Sequence, residues 1–330
     1  MAKKTTLSDV ITSLVNNDVY QSVEYSNNDH GGINVTCELV TYNDASYIEF
    51  SDSEFVGSNE LVEVSTGANQ YVNIIHDTEL KKLYELCKIH DAKSYRAFLH
   101  YVKICNCHMS IMNSNQLARV YNPDLALVTV DGKHSSDYYK GIVNSDIELY
   151  IPAEIIKALK SISANRCFLK IEDRIAKIYV VLNNDKQLHI SFRHDFTYDT
   201  CHKSFEYIDT FLRETRPVDI EDQFAYELIH ELKGIKSSLA MLTKGADDNR
   251  YHFDAVTPEI EAEARKYAEE ISNIYNTKYV FLDTKKLKHL FNEKLLKGDL
   301  RGLKLRVKMS KTNIVFDGVG VEFLISRFLV

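Results

Sequence analysis

The chain has few or none of several residue types and sequence patterns, and their absence excludes several classes of protein. It has no tryptophan, 4 prolines and 12 glycines in 330 residues, so we expect loops built mainly from Asn, Asp and Ser. No apolar run approaches the length of a membrane span, and the opening MAKKTTLSDV lacks the apolar core of a secretory signal. We therefore expect a cytoplasmic protein, in the host cytoplasm if the Asn-rich, Trp-free usage indicates a viral or phage gene.

Signatures of catalysis and of cofactor binding are also missing. The sequence has no phosphate loop, dinucleotide fingerprint or nucleophile elbow. Its six cysteines are expected to be reduced and buried. Cys105 and Cys107 could contribute to a zinc site, but no second ligand pair lies nearby in the sequence to complete it. We predict no cofactor, no metal and no enzymatic activity. A metal-dependent nucleic-acid enzyme remains an alternative, and it would use His189, His194, Asp195, Asp199 and Asp209.

Negative charge is concentrated in one segment. The formal net charge is -7, but residues 203–276 hold 16 Asp+Glu against 9 Lys+Arg, so the rest of the chain is balanced. Helices are indicated at Ile220–Lys233, which has an apolar face, and after Thr257, where a cap, a first-turn proline and acidic residues follow one another. We predict an acidic helical insert at about 203–276, which is either a solvated lobe or a partner-docking arm.

A unit of one strand, a short helix and three further strands recurs along the chain. Copies are present at 71–120, 147–194 and 279–330, and a helix followed by strand-like segments indicates an earlier copy in the first 70 residues. In the copy at 279–330, apolar residues have helical spacing and then alternate with charged residues. The predicted fold class is α+β with duplicated helix-plus-sheet half-domains. The predicted domains are 1–131 and 147–330, joined by a connector at 132–146, with the acidic insert in the second.

Lysines recur on the helices of the three best copies. Each helix has an apolar face, and the lysines lie off it. Lysine is a mobile point charge, which suits attraction to phosphates without recognition of bases. The alternative is that these lysines only solubilise the helices. The positions are Lys81, Lys82, Lys88, Lys157, Lys160, Lys285, Lys286 and Lys288.

The order of elements resembles that of DNA sliding clamps, the ring-shaped processivity factors of replicative polymerases. The best-matching segments are FLDTKKLKHLF, GLKLRVKMS, TNIVFDG and VEFLISRFLV within 279–330, followed by 147–194. The resemblance implies a two-domain chain of the phage or viral type, and six domains in a ring then imply a homotrimer. It also implies duplex DNA, a DNA polymerase and a clamp loader as partners. The predicted first helix, LSDVITSLVNN, departs from the pattern because it has no Lys or Arg.

The resemblance further implies small apolar grooves that receive partner peptides, near the 131–146 connector and at the C-terminal strand. Core packing is the alternative role for the matching C-terminal positions, which are Val321, Phe323, Leu324, Phe328 and Leu329. Base stacking by the 20 tyrosines is a weaker interpretation, because most of them occur singly in strand-like segments. A non-enzymatic viral structural or interaction protein without DNA contact remains the first alternative function.

Overall fold

The structure is a computed structural model of the chain. It describes residues 5–17, 22–27, 33–46, 70–90, 96–105, 108–121, 128–130, 148–162, 166–172, 175–182, 186–193, 198–214, 223–245, 250–270, 280–293, 295–296, 301–310 and 312–327. Among the helices of these ranges, none combines the length and the apolar character needed to cross a membrane.

Seven α-helices and eighteen strands are present in the described ranges. The helices are α1 (Leu7–Asn17), α2 (Asp77–Leu86), α3 (Ala153–Ser161), α4 (Tyr198–Glu214), α5 (Ala225–Gly234), α6 (Pro258–Glu270) and α7 (Thr284–Leu290). The first strands are β1 (Val23–Asn27), β2 (Ile33–Thr41), β3 (Gln70–His76), β4 (Tyr101–Cys105), β5 (His108–Asn113), β6 (Gln116–Tyr121), β7 (Val128–Val130), β8 (Glu148–Pro152) and β9 (Arg166–Glu172). The others are β10 (Ile175–Leu182), β11 (Lys186–Arg193), β12 (Gln223–Phe224), β13 (Leu239–Lys244), β14 (Tyr251–Ala255), β15 (Val280–Asp283), β16 (Lys304–Met309), β17 (Asn313–Gly318) and β18 (Val321–Ser326). Two short 3-10 helices, Cys87–Ile89 and Ala97–His100, follow α2.

The chain forms two compact units. The first consists of Met1–Ser110 and Tyr121–Ser204, and the second of Ile111–Val120 and Phe205–Val330. These units divide the chain differently from the predicted domains, because segment 147–194, assigned to the second domain, belongs to the first compact unit. The predicted connector at 132–146 lies outside the described residues, so the domain boundaries stay a prediction.

Two helix–strand copies within the first compact unit exchange their leading strands. Strand β3 precedes α2 but pairs with β9, which follows α3. Strand β8 precedes α3 but pairs with β4, which follows α2. Strands β1 and β2 join the same sheet through β11, giving the order β1-β2-β11-β10-β9-β3-β7. Helices α1 and α2 both pack against α3.

The second compact unit repeats this exchange. Strand β12 precedes α5 but pairs with β16, which follows α7. Strand β15 precedes α7 but pairs with β13, which follows α5. The resulting sheets have the orders β12-β16-β17-β18-β6 and β14-β13-β15. Because each copy completes the sheet of the other, neither copy of a pair is an independent folding unit.

Alternation of side chains fixes the register of the sheet that contains β16. Its residues Leu305, Val307 and Met309 are buried, whereas Lys304 and Arg306 are exposed on the other face. Gly318 closes the pairing of β17 with β16. A Cβ atom there would lie 2.7 Å from the backbone oxygen of Lys304, so the close approach of the strands requires glycine.

An aromatic cluster forms the core between α7 and this sheet. Phe291, which follows α7, lies 5.0 Å from Phe316 and 5.6 Å from Phe323 between ring centroids. Phe253 of β14 joins it at 5.8 Å from Phe291. Edge-to-face contacts of this kind stabilise beyond the apolar area that they bury. The cluster therefore ties both sheets of the second compact unit to α7.

The predicted α+β fold of duplicated helix-plus-sheet units is confirmed. The copy at 279–330 has the predicted order, from β15 through α7 to β18. Helices are present in the acidic segment as predicted, and α6 begins at Pro258 with the Thr257 hydroxyl accepting from the backbone N–H of Ile260 at 3.3 Å. The same segment also contains β12, β13 and β14, which the sequence prediction omitted. It therefore includes a further helix–strand copy at 223–255.

Candidate nucleic-acid interface

The predicted lysines of α2 and α3 lie on the solvent side of these two packed helices. Lys81 and Lys160 are exposed, and Lys82 is half-buried. Lys88, in the 3-10 helix after α2, is also exposed. The opposite side of the helices is apolar and buried, which fixes the lysines on the solvent side; its residues are Leu80, Leu83, Leu86, Ile155, Ile156 and Leu159.

Tyr84 of α2 brings Lys160 of α3 together with Lys88 of the 3-10 helix that follows α2. The Nζ atoms of Lys160 and Lys88 lie 4.8 Å and 5.7 Å from the centroid of its ring. Both distances are within the range at which a ring attracts a cation. Lys88 also forms an ion pair with the buried carboxylate of Glu85 at 2.6 Å. Two ammonium groups around one ring give α2 and α3 a shared positive site.

Lys157 differs from the other lysines because its ammonium is half-buried and engaged. Its Nζ lies 2.7 Å from Nδ1 of His90, and His90 Nε2 lies 3.0 Å from Nδ1 of His100. An ammonium only donates, so His90 Nδ1 accepts and His90 Nε2 donates to His100. Burial lowers the pKa of His90 to about 3, helped by Lys157 and His100, and burial also lowers the pKa of Lys157. This chain of contacts fixes the position of one predicted DNA-contacting lysine.

The lysines of α7 are held by its cap and by neighbouring backbone. Asp283 caps the helix by accepting from the backbone N–H of Lys286 at 2.9 Å. Lys285 is exposed. Lys288 is exposed as well, but its Nζ donates to the backbone oxygen of Ile235, just after α5, at 2.7 Å. The side chain of Lys286 is half-buried. Of the three α7 lysines, Lys288 is therefore held by a backbone oxygen and Lys286 is half-buried, whereas Lys285 is exposed.

Helix α5, the partner of α7, was not among the predicted site elements. Its solvent side carries a mixture of charges along a groove of about 530 Å³, lined by Tyr226, Glu227, Glu231, His230, Lys233 and Arg250 among others. Glu231 accepts from His252 Nδ1 at 2.8 Å and from the backbone N–H of Phe253 at 2.9 Å, which holds α5 against β14. Lys233 is ion-paired with Glu293. The continuous apolar run Leu239–Leu242 in β13 was the sequence signal for this copy.

The predicted partner-binding positions of β18 are buried. Phe323 is completely buried in the aromatic cluster, and Val321 and Leu324 are each 7% exposed. This burial supports the alternative role in core packing, most directly for Phe323. Phe328 and Leu329 lie outside the described residues. Partner binding at all five positions stays a prediction.

Two of the residues considered for metal chemistry, His189 and Asp209, make structural contacts. His189 is buried, bonds to Gln187 at 2.9 Å and packs its ring against Tyr179. Asp209 of α4 is ion-paired with Arg119, which also binds Glu322 at 2.8 Å. Within the described ranges, no group of three or more His, Cys, Asp or Glu residues could hold a metal ion. His194 and Asp195 lie outside those ranges.

Three of the six cysteines can be placed, and they behave as predicted. Cys37, Cys87 and Cys167 are buried and unbridged. Burial raises the pKa of each thiol to about 12. They are therefore protonated core residues at neutral pH, without nucleophilic character.

Comparisons with known proteins find a likeness in structure only. No family model matches the sequence, and no curated protein matches it. Among solved structures, the chain is similar to the Helicobacter pylori beta clamp bound to a DNA ligase peptide, with a TM-score of 0.51 and 9% sequence identity. That alignment covers 94% of this chain and 76% of the clamp. The chain therefore has the fold of the DNA sliding clamps, as the sequence resemblance predicted.

A second structural neighbour is the DnaN sliding clamp, DNA polymerase III subunit beta, from Pseudomonas aeruginosa bound to griselimycin. It aligns with a TM-score of 0.47 and 10% identity over 79% of this chain and 65% of that chain.

Proposed function

We propose that this chain is a DNA sliding clamp, a non-enzymatic processivity factor that encircles duplex DNA and tethers a replicative polymerase. One observation supports the proposal above all others. Two strand-exchanged pairs of helix–strand copies share the sliding-clamp fold over 94% of the chain and present lysines on the solvent side of α2, α3 and α7.

The chemistry of these helices suits a protein that moves along DNA. Phosphate attraction supplies affinity without sequence preference, because the charge of the backbone is the same at every step. The exposed lysines are proposed to contact phosphates through flexible stems, which place few directional demands on the DNA. The half-buried Lys82, Lys157 and Lys286 would contribute as more fixed charges. The full proposed set is Lys81, Lys82, Lys88, Lys157, Lys160, Lys285, Lys286 and Lys288.

Ring closure and partners are part of the same proposal. A ring of six domains would be completed by three chains if each contributes two, which is the basis for the proposed homotrimer. A DNA polymerase and a clamp loader are the proposed protein partners. The proposed viral or phage source rests on the Asn-rich, Trp-free composition of the chain.

Retention on circular and on linearised DNA tests the proposal. Protein incubated with nicked circular plasmid is separated from free protein by gel filtration, and half of the complex is then cut once with a restriction enzyme. We expect protein to stay on the circle and to be lost from the cut DNA, since a ring slides off free ends. Equal retention on both DNAs contradicts encirclement. Light scattering on the same sample gives the stoichiometry: a trimer has three times the chain mass of 38.0 kDa, and a stable monomer contradicts a self-closing ring.

A further inference from the structure

The outer face of the β12–β16 strand pair carries an aromatic and basic patch. Phe224 lies directly opposite Lys304 in the pairing, and Gln223 lies opposite Leu305. Directly opposed residues share a face of the sheet. Leu305 is completely buried, so Phe224 and Lys304 lie on the other face, away from the aromatic core and α7. Phe224 and Lys304 are therefore separate from the lysines of α7.

Two cations flank the ring of Phe224. The guanidinium carbon of Arg250 lies 5.1 Å from the ring centroid, and the Nζ of Lys304 lies 5.4 Å from it. The ring of Tyr226 is 5.9 Å from that of Phe224, tilted by 44°, and 42% of Tyr226 is exposed. Tyr226 therefore presents an exposed ring next to a ring that two cations flank.

Two further cations extend the patch. Arg306 is exposed two residues after Lys304 on the same face of β16. Arg301 is exposed in the turn before β16. Carboxylates border the patch as well. Glu227 accepts from the Tyr226 hydroxyl at 3.0 Å and lies 3.6 Å from Arg250. Asp317 lies directly opposite Arg306 in the pairing of β17 with β16 and is ion-paired with Lys308 at 2.6 Å. The four patch cations Arg250, Arg301, Lys304 and Arg306 outnumber these two carboxylates, in a chain whose net charge is -7.

The combination of cations and an exposed ring selects a ligand that has both phosphates and accessible bases. Proteins that bind single strands without sequence preference combine a basic surface with aromatic rings on which bases stack. Duplex DNA offers phosphates but keeps its base faces stacked inside, so it would not use the Tyr226 ring. An acidic peptide would satisfy the cations but has no base to stack on that ring.

We propose that this outer patch binds single-stranded DNA, through stacking on Tyr226 and phosphate contacts from the surrounding cations. Its residues are Phe224, Tyr226, Arg250, Arg301, Lys304 and Arg306. The site goes beyond the proposed encirclement of duplex DNA, since its ligand is a single strand and binding does not require a closed ring.

Fluorescence anisotropy with the full chain tests the site. The probe is a labelled oligothymidine of about 16 nucleotides, the upper end of the site size of one single-strand-binding module. We expect Tyr226→Ala to weaken binding on the order of tenfold because the stacking surface is removed, and Tyr226→Phe to bind like the unchanged chain. The matched control is Tyr207→Ala, which removes a tyrosine that is 71% exposed on α4, outside the patch.

A charge series separates this site from general attraction. Replacing Lys304 and Arg306 together by Ala should lower the slope of log affinity against log salt by about 0.7 for every phosphate that these two side chains neutralise in the unchanged chain. The control pair Lys236→Ala with Lys266→Ala removes the same charge from exposed positions elsewhere and should leave the slope unchanged.

Three results would overturn the site. The first is no binding of the oligothymidine by the unchanged chain. The second is equal weakening by Tyr207→Ala and Tyr226→Ala. The third is displacement of the oligothymidine by a poly-glutamate peptide whose own binding is unchanged by Tyr226→Ala. That result would assign the patch to an acidic protein partner. Because the probe is a short linear strand, the two experiments are independent. A negative result with the oligothymidine does not change the interpretation of the plasmid-retention experiment, and loss of retention does not change the interpretation of the oligothymidine titration.

Discussion

The two strand-exchanged pairs of copies share one topology and differ in the chemistry of their helices. In the pair with α2 and α3, both helices contribute lysines, and two of these lysines meet around Tyr84. In the pair with α5 and α7, lysines face solvent from α7, whereas α5 carries Glu227, Glu231 and His230 along its groove.

The comparison shows that the residues that determine the fold differ from those that determine the surface charge. The exchange of leading strands depends on buried apolar side chains and backbone pairing, which both pairs have. Surface charge makes little contribution to stability, so it is free to diverge between copies. A shared fold therefore does not imply that every helix of the chain attracts DNA, and the helices of the first pair are the stronger candidates.

The largest expected effect comes from breaking the aromatic core of the second pair. Phe323→Ala should lower the free energy of unfolding by about 3–5 kcal/mol, because it leaves a cavity beside Phe291. Urea denaturation followed by fluorescence or circular dichroism measures the change. Val319→Ala is the control: Val319 is 93% exposed in the turn before β18, and its loss should change stability by less than about 0.5 kcal/mol. Equal effects would contradict the assignment of Phe323 to the core.

Features of the fold that depend on residues close in sequence could be predicted, whereas features that depend on contacts between distant residues could not. The copy at 279–330 was predictable because its signals are local: Asp283 caps α7, and buried and exposed residues alternate in β16. The copy at 223–255 was missed, since its acidic surroundings indicated helices and its strands are short. The exchange of leading strands was not predictable, because it pairs β3 with β9 across nearly a hundred residues that no local pattern connects.

The candidate site divides in the same way. Exposure of Lys81, Lys160 and Lys285 follows from helical periodicity alone. The contact of Lys157 with His90 joins residues that are 67 positions apart, so it appears only in the folded chain. The outer patch likewise depends on the pairing of β12 with β16.

An effect that depends on pH is expected from His90 in the first pair. His90 has a pKa of about 3 in the folded chain against an ordinary value of 6.5, because burial disfavours its charged form. The unfolded chain therefore binds more protons between these values, and stability should fall as pH decreases from about 6.5 towards 3, by up to about 1.4 kcal/mol per pH unit. His90→Gln keeps an acceptor for Lys157 but cannot titrate, so its stability should depend less on pH in this window.

The control for the pH prediction is His230→Gln, on the exposed side of α5 in the second pair. This variant should retain the pH dependence of the unchanged chain, measured by urea denaturation at a series of pH values. Some dependence should remain in His90→Gln as well, because burial also lowers the pKa of His189, to about 4. Identical curves for His90→Gln and the unchanged chain would contradict a buried neutral His90.

The smallest expected effect compares the two helix pairs as DNA-binding surfaces. Replacing Lys81 and Lys160 together by Ala should lower the slope of log duplex affinity against log salt by about 0.9 for each lysine that contacts a phosphate. Replacing Lys285 and Lys288 should lower it less, because the Lys288 ammonium already donates to the oxygen of Ile235 and α5 beside it carries carboxylates. Both slopes come from anisotropy titrations with a short duplex, and Lys244→Ala with Lys266→Ala is the control at exposed positions off these helices. If the control variant lowers the salt slope as much as the Lys81 and Lys160 variant does, the lysines of α2 and α3 only solubilise the helices and do not bind DNA.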